Sequence, residues 1–323
     1  MFLYENPSTD PFYNLALEEY LFRTAGAHEK CLLLWRNDKT VVVGRNQNVA
    51  AEINASYVME NGIRIARRMT GGGTVYHDLG NLNYSVICDA GDDFMSSVLA
   101  FLTGLGLAPA LSGRNDLTIC GRKFSGCAEL VRNGRLLHHG TFLFDSDLKA
   151  MEKALHVPAE KISSKGISSV AGRVTNIRPC LQKNMDFSTF YAMLLRWVEK
   201  EKRPRRLVLR PEEEKEIRRL KEEKYSAWQW IYGRSPDCRI QRKKYLEGCG
   251  TVEVCMDVNK GRIETLVFCG DFLGHQEVRE LEDLLTGIIP DRVHILEKLG
   301  NIHLDQYIRG LEMKDLLDLV CCI

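Results

Sequence analysis

The alternation of apolar and polar residues marks out the first elements of the chain. Asp10 is a good helix N-cap and Pro11 suits the first helical position. Tyr13, Ala16, Leu17, Tyr20 and Leu21 then fall at i, i+3, i+4, i+7 and i+8, which predicts a helix from residue 11. The apolar runs Cys31–Trp35 and Thr40–Val43 flank Arg36-Asn37-Asp38-Lys39, a pattern that predicts a hairpin. Residues 63–66, 74–76, 83–88 and 136–143 read as further strands, and 95–107 as a helix. Residues 117–120 and 123–124 flank a Gly121-Arg122 turn. Strands joined by short turns as often as by helices predict a sheet-rich α/β (α+β) unit in the N-terminal two-thirds.

From Glu199 to Lys224 the chain becomes charge-dense, with Pro204 and Pro211 and then a long helical run, expected to be a solvated helix lying over the first domain. A boundary follows near residues 248–250. Beyond it Val252, Val254 and Met256 alternate, Asn259-Lys260-Gly261 supplies a turn, and Ile263, Thr265 and Val267 alternate again, predicting a hairpin. Val278, Leu281 and Leu285 have helical spacing, as do Leu316, Leu317 and Val320. The expected division is therefore 1–247 and 248–323, the second a small α+β module.

Composition narrows the function class. A length of 323 residues fits about two domains. Lys+Arg 44 against Asp+Glu 43 leaves a net charge of +1, which argues against a broadly electrostatic nucleic-acid binder. Hydrophobic residues at 45% and charged residues at 27% are ordinary globular values, which excludes disorder. No run approaches the ~18 apolar residues of a membrane span. The opening MFLYENPSTD has neither a basic n-region nor an apolar h-region, so the cytoplasm is the expected compartment. The 11 cysteines are odd in number, several sit in apolar runs, and no C-x-x-C occurs. They are expected to be reduced, buried small hydrophobes rather than bridges or zinc ligands.

The densest candidate chemistry is Arg67-Arg68-Met69-Thr70-Gly71-Gly72-Gly73-Thr74-Val75-Tyr76-His77-Asp78. Glycines let a backbone approach a ligand and present N–H groups, and arginine forks oxyanions, so the string reads as an anion site. It is not a Walker A loop, because no Gly-Lys-Ser/Thr follows. A second cluster holds Asn115, Asp116 and Lys123. Asp116 is a candidate Mg²⁺ ligand, since that ion takes one or two carboxylates plus phosphate oxygens. Lys123, flanked by glycine-containing turns, is placed to reach a phosphate or carboxylate. Adjacent His138 and His139 alternate across a strand and cannot easily share one metal, so packing and polar contacts are expected there.

Taken together, the strings ARRMTGGGTVYHDLGNLNYS, GRNDL, GRKFSGCAE, HHGTFLF and KGISSVAGRVTN resemble the lipoate–protein ligase A family, in the family's order and over essentially the whole chain. Trp228-Gln229-Trp230 and Gly270-Asp271-Phe272 resemble the junction and accessory C-terminal domain of those ligases. The resemblance implies a mixed-sheet biotin/lipoyl ligase-like catalytic domain. It implies an enzyme that activates lipoate with Mg-ATP to lipoyl-adenylate and passes the lipoyl group to a carrier-domain lysine. The carriers would be 2-oxoacid dehydrogenase acyltransferase subunits or the glycine-cleavage H protein, with no nucleic acid and no membrane involved. By the same resemblance Arg68, Gly73, Thr74, Val75, Tyr76, Asn115 and Asp116 would bind ATP. Gly71, Gly72 and His77 would line the lipoyl path, and Lys123 would contact both the lipoate carboxylate and the α-phosphate. The adenylate must be shielded from water until the carrier docks, so residues 165–176 or the small domain are expected to form a lid. Cys127 stands where the family more often has Ser or another small residue. As a nucleophile it would make the protein an ATP-independent octanoyl or lipoyl transferase. Such a thiol would need a lowered pKa, and the accessory domain favours the ligase. The other alternative is a non-catalytic lipoyl-carrier-binding module, against which the presence of Arg68, the glycines, Asp116 and Lys123 argues.

Overall fold

The computed structural model describes residues 1–26, 29–92, 95–112, 116–156, 173–233 and 238–321. Its strands are β1 (Phe2–Glu5), β2 (Cys31–Trp35), β3 (Thr40–Val43), β4 (Arg64–Arg67), β5 (Val75–His77), β6 (Asn81–Asp89), β7 (Pro109–Ser112), β8 (Asp116–Ile119), β9 (Arg122–Arg132), β10 (Arg135–Leu143), β11 (Arg205–Arg206), β12 (Ile240–Leu246), β13 (Gly250–Asn259) and β14 (Arg262–Gly270). The larger unit is built on an eight-stranded mixed sheet in the order β11-β1-β2-β6-β10-β9-β8-β7. Only the β11–β1 and β1–β2 pairs in it are parallel. A separate sheet, β4-β3-β5, joins β3 in parallel to β4 and antiparallel to β5.

Side chains alternate across the large sheet and divide its two faces. On one face Leu33, Trp35, Ile87, Leu130 and Leu137 pack with Leu17, Leu21 and Phe22 of the helix Pro11–Thr24. That helix starts as expected, with the Asp10 carboxylate accepting the Phe12 N–H at 3.1 Å. On the other face Leu34, Tyr84, Val86, Phe124, Cys127 and Phe142 pack with Phe101, Phe190, Leu194 and Val198 of the helices Met95–Gly104 and Phe187–Lys202. Both faces are therefore covered, and each residue of β2 is buried.

Two expectations change here. The runs Cys31–Trp35 and Thr40–Val43 do not pair as a hairpin: β2 lies in the large sheet and β3 in the small one. Between them Asn37 is fully buried and accepts a hydrogen bond from Asn14, which draws the connection inward instead of around a hairpin turn. The helical run expected after the prolines is present, but it is not fully solvated. Phe187–Lys202 ends at Arg203, whose φ of 45° closes it before Pro204. Arg205–Arg206 then pairs with β1, and a second helix runs Pro211–Leu220. Ile217 and Tyr225 are buried in the same cluster as helix Pro11–Thr24, so this face is not wholly solvated.

The small domain has the antiparallel sheet β12-β13-β14 under four short helices, with Val252, Val254, Met256, Phe268, Leu281 and Leu316 in its core. The predicted turn between β13 and β14 is present, with positive φ at Lys260 and Gly261. Strand β12 precedes the boundary expected at 248. Its residues are alternately half-exposed and exposed, and polar enough that no apolar run announced it. This domain touches the catalytic unit at the glycine loop. Gly72 N–H donates to the Phe272 carbonyl at 3.2 Å, Gly270 N–H donates to the Asn46 carbonyl at 3.0 Å, and Arg45 pairs with Glu277.

Candidate active site

A cavity lies between the first face of the large sheet and the β4-β3-β5 layer. The sheet contributes Trp35, Asn83, Lys123, Ala128, His139 and Thr141, and the layer contributes Val42, Arg68, Gly73, Thr74, Val75 and His77. Leu15 of the first helix closes one side.

Lys123 reaches the cavity through a β-bulge. Asp116 pairs with Gly126 and Leu117 with Ser125, but Thr118 pairs with Lys123, leaving Phe124 as an extra residue. Regular alternation from Gly126 would have set Phe124 in the cavity and Lys123 behind the sheet. With the bulge, Phe124 is fully buried in the opposite core and the Lys123 ammonium lies in the cavity wall. Its Nζ pairs with Asp116 Oδ1 at 2.6 Å. Its backbone is bridged to Val174, and its carbonyl accepts the Thr175 N–H at 2.8 Å. Among the expected lid residues, Val174 and Thr175 thus touch the lysine segment, and 165–172 lie outside the described residues, as does Asn115.

The two adjacent arginines separate. Arg67 is 1% exposed and donates to five backbone carbonyls. Those of Gly44, Arg45 and Gln47 belong to the loop after β3, and those of Trp230 and Ile231 to the helix Trp228–Tyr232. It is a structural tie, not an anion fork. Arg68 lines the cavity but also organises it: Nε donates to Thr70 Oγ1 at 3.0 Å, and Nη2 donates to the carbonyls of Gly71 at 2.7 Å and Gly73 at 2.8 Å. Burial pulls its pKa down to about 10, against the raising influence of the Glu18 carboxylate, so it stays a cation at neutral pH.

Gly73, Thr74, Val75 and His77 line the cavity, while Gly71 and Gly72 face the small domain. Gly72 has a φ of +85°, and a Cβ on Gly71 would lie 2.5 Å from the Phe272 carbonyl oxygen, so this contact needs both glycines. The Tyr76 side chain turns away into an apolar cluster with Val41, Val43 and Leu143.

Behind Trp35 lies a buried polar network that the motifs did not announce. Glu18 Oε1 accepts from Ser85 Oγ at 2.6 Å and pairs with His139 Nδ1 at 2.8 Å. His139 Nε2 pairs with Thr70 Oγ1 at 2.8 Å, and Trp35 Nε1 donates to Ser85 Oγ at 2.8 Å. The available signal was on the first helix: Asn14 and Glu18, four residues apart, are polar on a face otherwise apolar.

His138 points to the opposite face, as alternation predicts, and takes Cys127 with it. There Cys127 Sγ lies 3.3 Å from the Tyr84 hydroxyl, within the apolar core. Burial would depress His138, but hydrogen bonds to Cys127 and Glu129 outweigh it and lift the imidazole to about 9. The thiol therefore has a basic neighbour, yet it is held on the face of the sheet away from Gly126, Ala128 and Thr141. No group of three or more His, Cys, Asp or Glu side chains forms a metal cage among the described residues. Asp116 supplies one hard carboxylate, which suits an ion that draws its other ligands from substrate phosphates and water.

Residues 10–199 match the model of the lipoyl protein ligase A/B catalytic domain, and 235–320 match that of the bacterial lipoate protein ligase C-terminus. The chain belongs to the lipoyl protein ligase A/B family. It is 38% identical to lipoate-protein ligase LplJ of Bacillus subtilis over 99% of both chains. Among solved members of this ligase family, LipL1 of P. falciparum in complex with lipoate superposes with a TM-score of 0.75 at 25% identity, covering 98% of this chain and 97% of that one. A bipartite archaeal ligase from Thermoplasma acidophilum, described with its E2 lipoyl domain, covers 74% of this chain and 98% of its own, with a TM-score of 0.62 at 30% identity. A lipoate-protein ligase A bound with ATP covers 72% and 97%, with a TM-score of 0.60 at 28% identity. The mixed α/β catalytic fold and the small C-terminal domain are thus those of the ligases. No helix among the described residues is long and apolar enough to cross a membrane.

Proposed function

We propose that this protein is an ATP-dependent lipoate–protein ligase acting in the cytoplasm. The observation that carries the reading is the Lys123 ammonium, delivered by the bulge to a largely apolar cavity and paired with Asp116. A carboxylate is a poor acyl donor, so it must first be activated. In the first step a lipoate carboxylate oxygen attacks the α-phosphorus of ATP, the bond to the β-phosphate bridge breaks, and pyrophosphate leaves. Lys123 exchanges its Asp116 contact for the carboxylate and α-phosphate and offsets their mutual repulsion. Arg68 shapes the loop whose Gly73, Thr74, Val75 and Tyr76 backbone would bind the nucleotide, and Asn115 belongs to the same proposed site. Asp116 would hold Mg²⁺, which when bound neutralises phosphate charge. His77 would border the lipoyl path, and Gly71 and Gly72, which face the small domain, would shape that path only through the loop they share with Gly73.

In the second step the neutral amine of a carrier lysine attacks the lipoyl carbonyl, loses a proton and expels AMP, leaving an amide. An unperturbed lysine pKa of ~10.4 leaves roughly one amine in 10³ neutral at pH 7, so the adenylate must persist until a carrier docks. The carriers expected are 2-oxoacid dehydrogenase acyltransferase domains and the glycine-cleavage H protein. The lipoate- and ATP-bound relatives support the reading, as does the placement of the Cys127 sulfur behind the sheet. Lipoate-dependent exchange between pyrophosphate and ATP tests it. Exchange that requires both substrates is the expected result, and lipoyl transfer that proceeds equally without ATP would overturn it.

A further inference from the structure

Among the side chains that line the cavity, two buried polar atoms lack a hydrogen-bond partner among the described residues: His77 Nε2 and Asn83 Nδ2. His77 is 3% exposed and Asn83 is 2% exposed. Elsewhere on the cavity wall the polar groups are engaged: Thr74 with Gln47, His139 with Glu18 and Thr70, Lys123 with Asp116, and Trp35 with Ser85.

The proton on His77 can be located. Asn14 Nδ2 donates to the Ser8 and Arg36 carbonyls, which only accept, and this fixes the orientation of the Asn14 amide. The same nitrogen meets Asn37 Oδ1 at 2.8 Å, so Asn37 must present Nδ2 on its other side. That nitrogen lies 3.1 Å from His77 Nδ1, which therefore accepts and carries no hydrogen. Burial, with Arg68 and His139 adding to it, lowers the His77 pKa to about 3, so the ring is neutral. Its single hydrogen is on Nε2, the atom left without a partner in this cavity-lining ring.

These donors also sit at an informative depth. Gly126, whose absent Cβ leaves room for the Lys123 ammonium, faces Asn83 across two strand spacings, roughly 10 Å. With its carboxylate hydrogen-bonded to the Lys123 ammonium, an extended lipoate would bring its ring to about this depth, five C–C bonds beyond the carboxyl carbon. A plain alkyl chain reaching this point leaves both N–H groups unpaired, whereas ring sulfur is a weak acceptor that can receive them.

We propose that His77 and Asn83 form a sulfur-recognition subsite that selects a cyclic disulfide over an unfunctionalised fatty acyl chain, with Asn37 and Asn14 positioning the His77 tautomer. This rests on the ligase reading and adds to it the basis of substrate choice. The decisive comparison needs no mutation. Lipoate, its carbocyclic analogue with both sulfurs replaced by methylene groups, and octanoate are compared in pyrophosphate exchange and in calorimetric binding to the wild-type protein. Lipoate should exceed the carbocycle by about 5- to 30-fold in kcat/KM and in affinity, the range expected when buried donors lose an acceptor. A difference below twofold overturns the subsite. Exchange absent with every acid, while lipoate still binds more tightly than the carbocycle, would count against the ligase reading and leave the subsite standing.

Asn83→Leu, checked for folding by circular dichroism, should remove most of the preference for lipoate over octanoate, read as the ratio of their kcat/KM values within the variant. Equal losses for both acids would overturn the role of Asn83. Asn37→Asp, which accepts where Asn37 donates, should move the His77 proton to Nδ1, visible in the ring ¹⁵N shifts, and reduce the preference in parallel. An unchanged tautomer would overturn the relay.

Discussion

Replacing Arg67 by Met keeps much of the side-chain volume and removes every donor. Five carbonyls lose a charge-assisted hydrogen bond: those of Gly44, Arg45 and Gln47 at 2.7–2.8 Å, and those of Trp230 and Ile231 at 2.7–3.0 Å. Each such bond is worth about 1.5–3 kcal/mol gross, which sums far above any plausible net effect. Two factors reduce it. The variant no longer keeps a cation in the interior, a penalty of several kcal/mol, and carbonyls tolerate partial satisfaction better than donors do. The expected net destabilisation is therefore about 3–5 kcal/mol, as for removing one side of a buried charged network. Arg67→Lys, with three hydrogens on one nitrogen, should recover less than half. The assay is urea unfolding followed by tryptophan fluorescence, which also reports directly: Trp230 Nε1 donates to the Arg67 carbonyl at 2.8 Å. Arg67→Met within about 1 kcal/mol of the wild type would refute the claim that this arginine ties the loop to the linker helix.

The other expectations concern chemistry and pH. Lys123→Ala should slow lipoate adenylation by roughly 10²–10³, and near-normal exchange kinetics would remove Lys123 from the mechanism. Cys127→Ser should keep ATP-dependent activity within about threefold, because the sulfur is behind the sheet; its abolition would mean that the thiol participates. His77 is neutral in the fold down to about pH 3 and protonates near 6.5 when unfolded, so its contribution to stability is full above 6.5 and lost as pH falls toward 3. By pH 4 that loss is on the order of 3 kcal/mol. His77→Gln should flatten the acid limb of the stability curve, and an unchanged limb contradicts the burial argument. His138 acts in the opposite sense: its contribution is full below 6.5 and lost as pH rises through about 9.

What the sequence determined by itself was local. Asp10 and Pro11 start a helix because an N-cap carboxylate and a first-turn proline act within a few residues. The turns at Gly121 and at Lys260-Gly261 form because positive φ is cheapest at glycine, and both positions adopt it. The ordered motifs from Arg67 to Asn176 sufficed for a family resemblance. What only the tertiary structure decided depends on partners distant in the chain. The strand β11 is two arginines, legible only beside β1. The runs Cys31–Trp35 and Thr40–Val43 entered different sheets because a buried Asn37 needed Asn14 and His77. The bulge at Phe124 chose which face Lys123 serves, and one residue of register exchanges the two faces of a strand. Arg67 is the last residue of β4 and Arg68 follows it, and the two point to opposite sides: one meets the carbonyls of residues 230 and 231, the other the cavity. Residue type announced two cations beside a glycine loop; the carbonyls each one meets in the folded chain decided which of them faces the site.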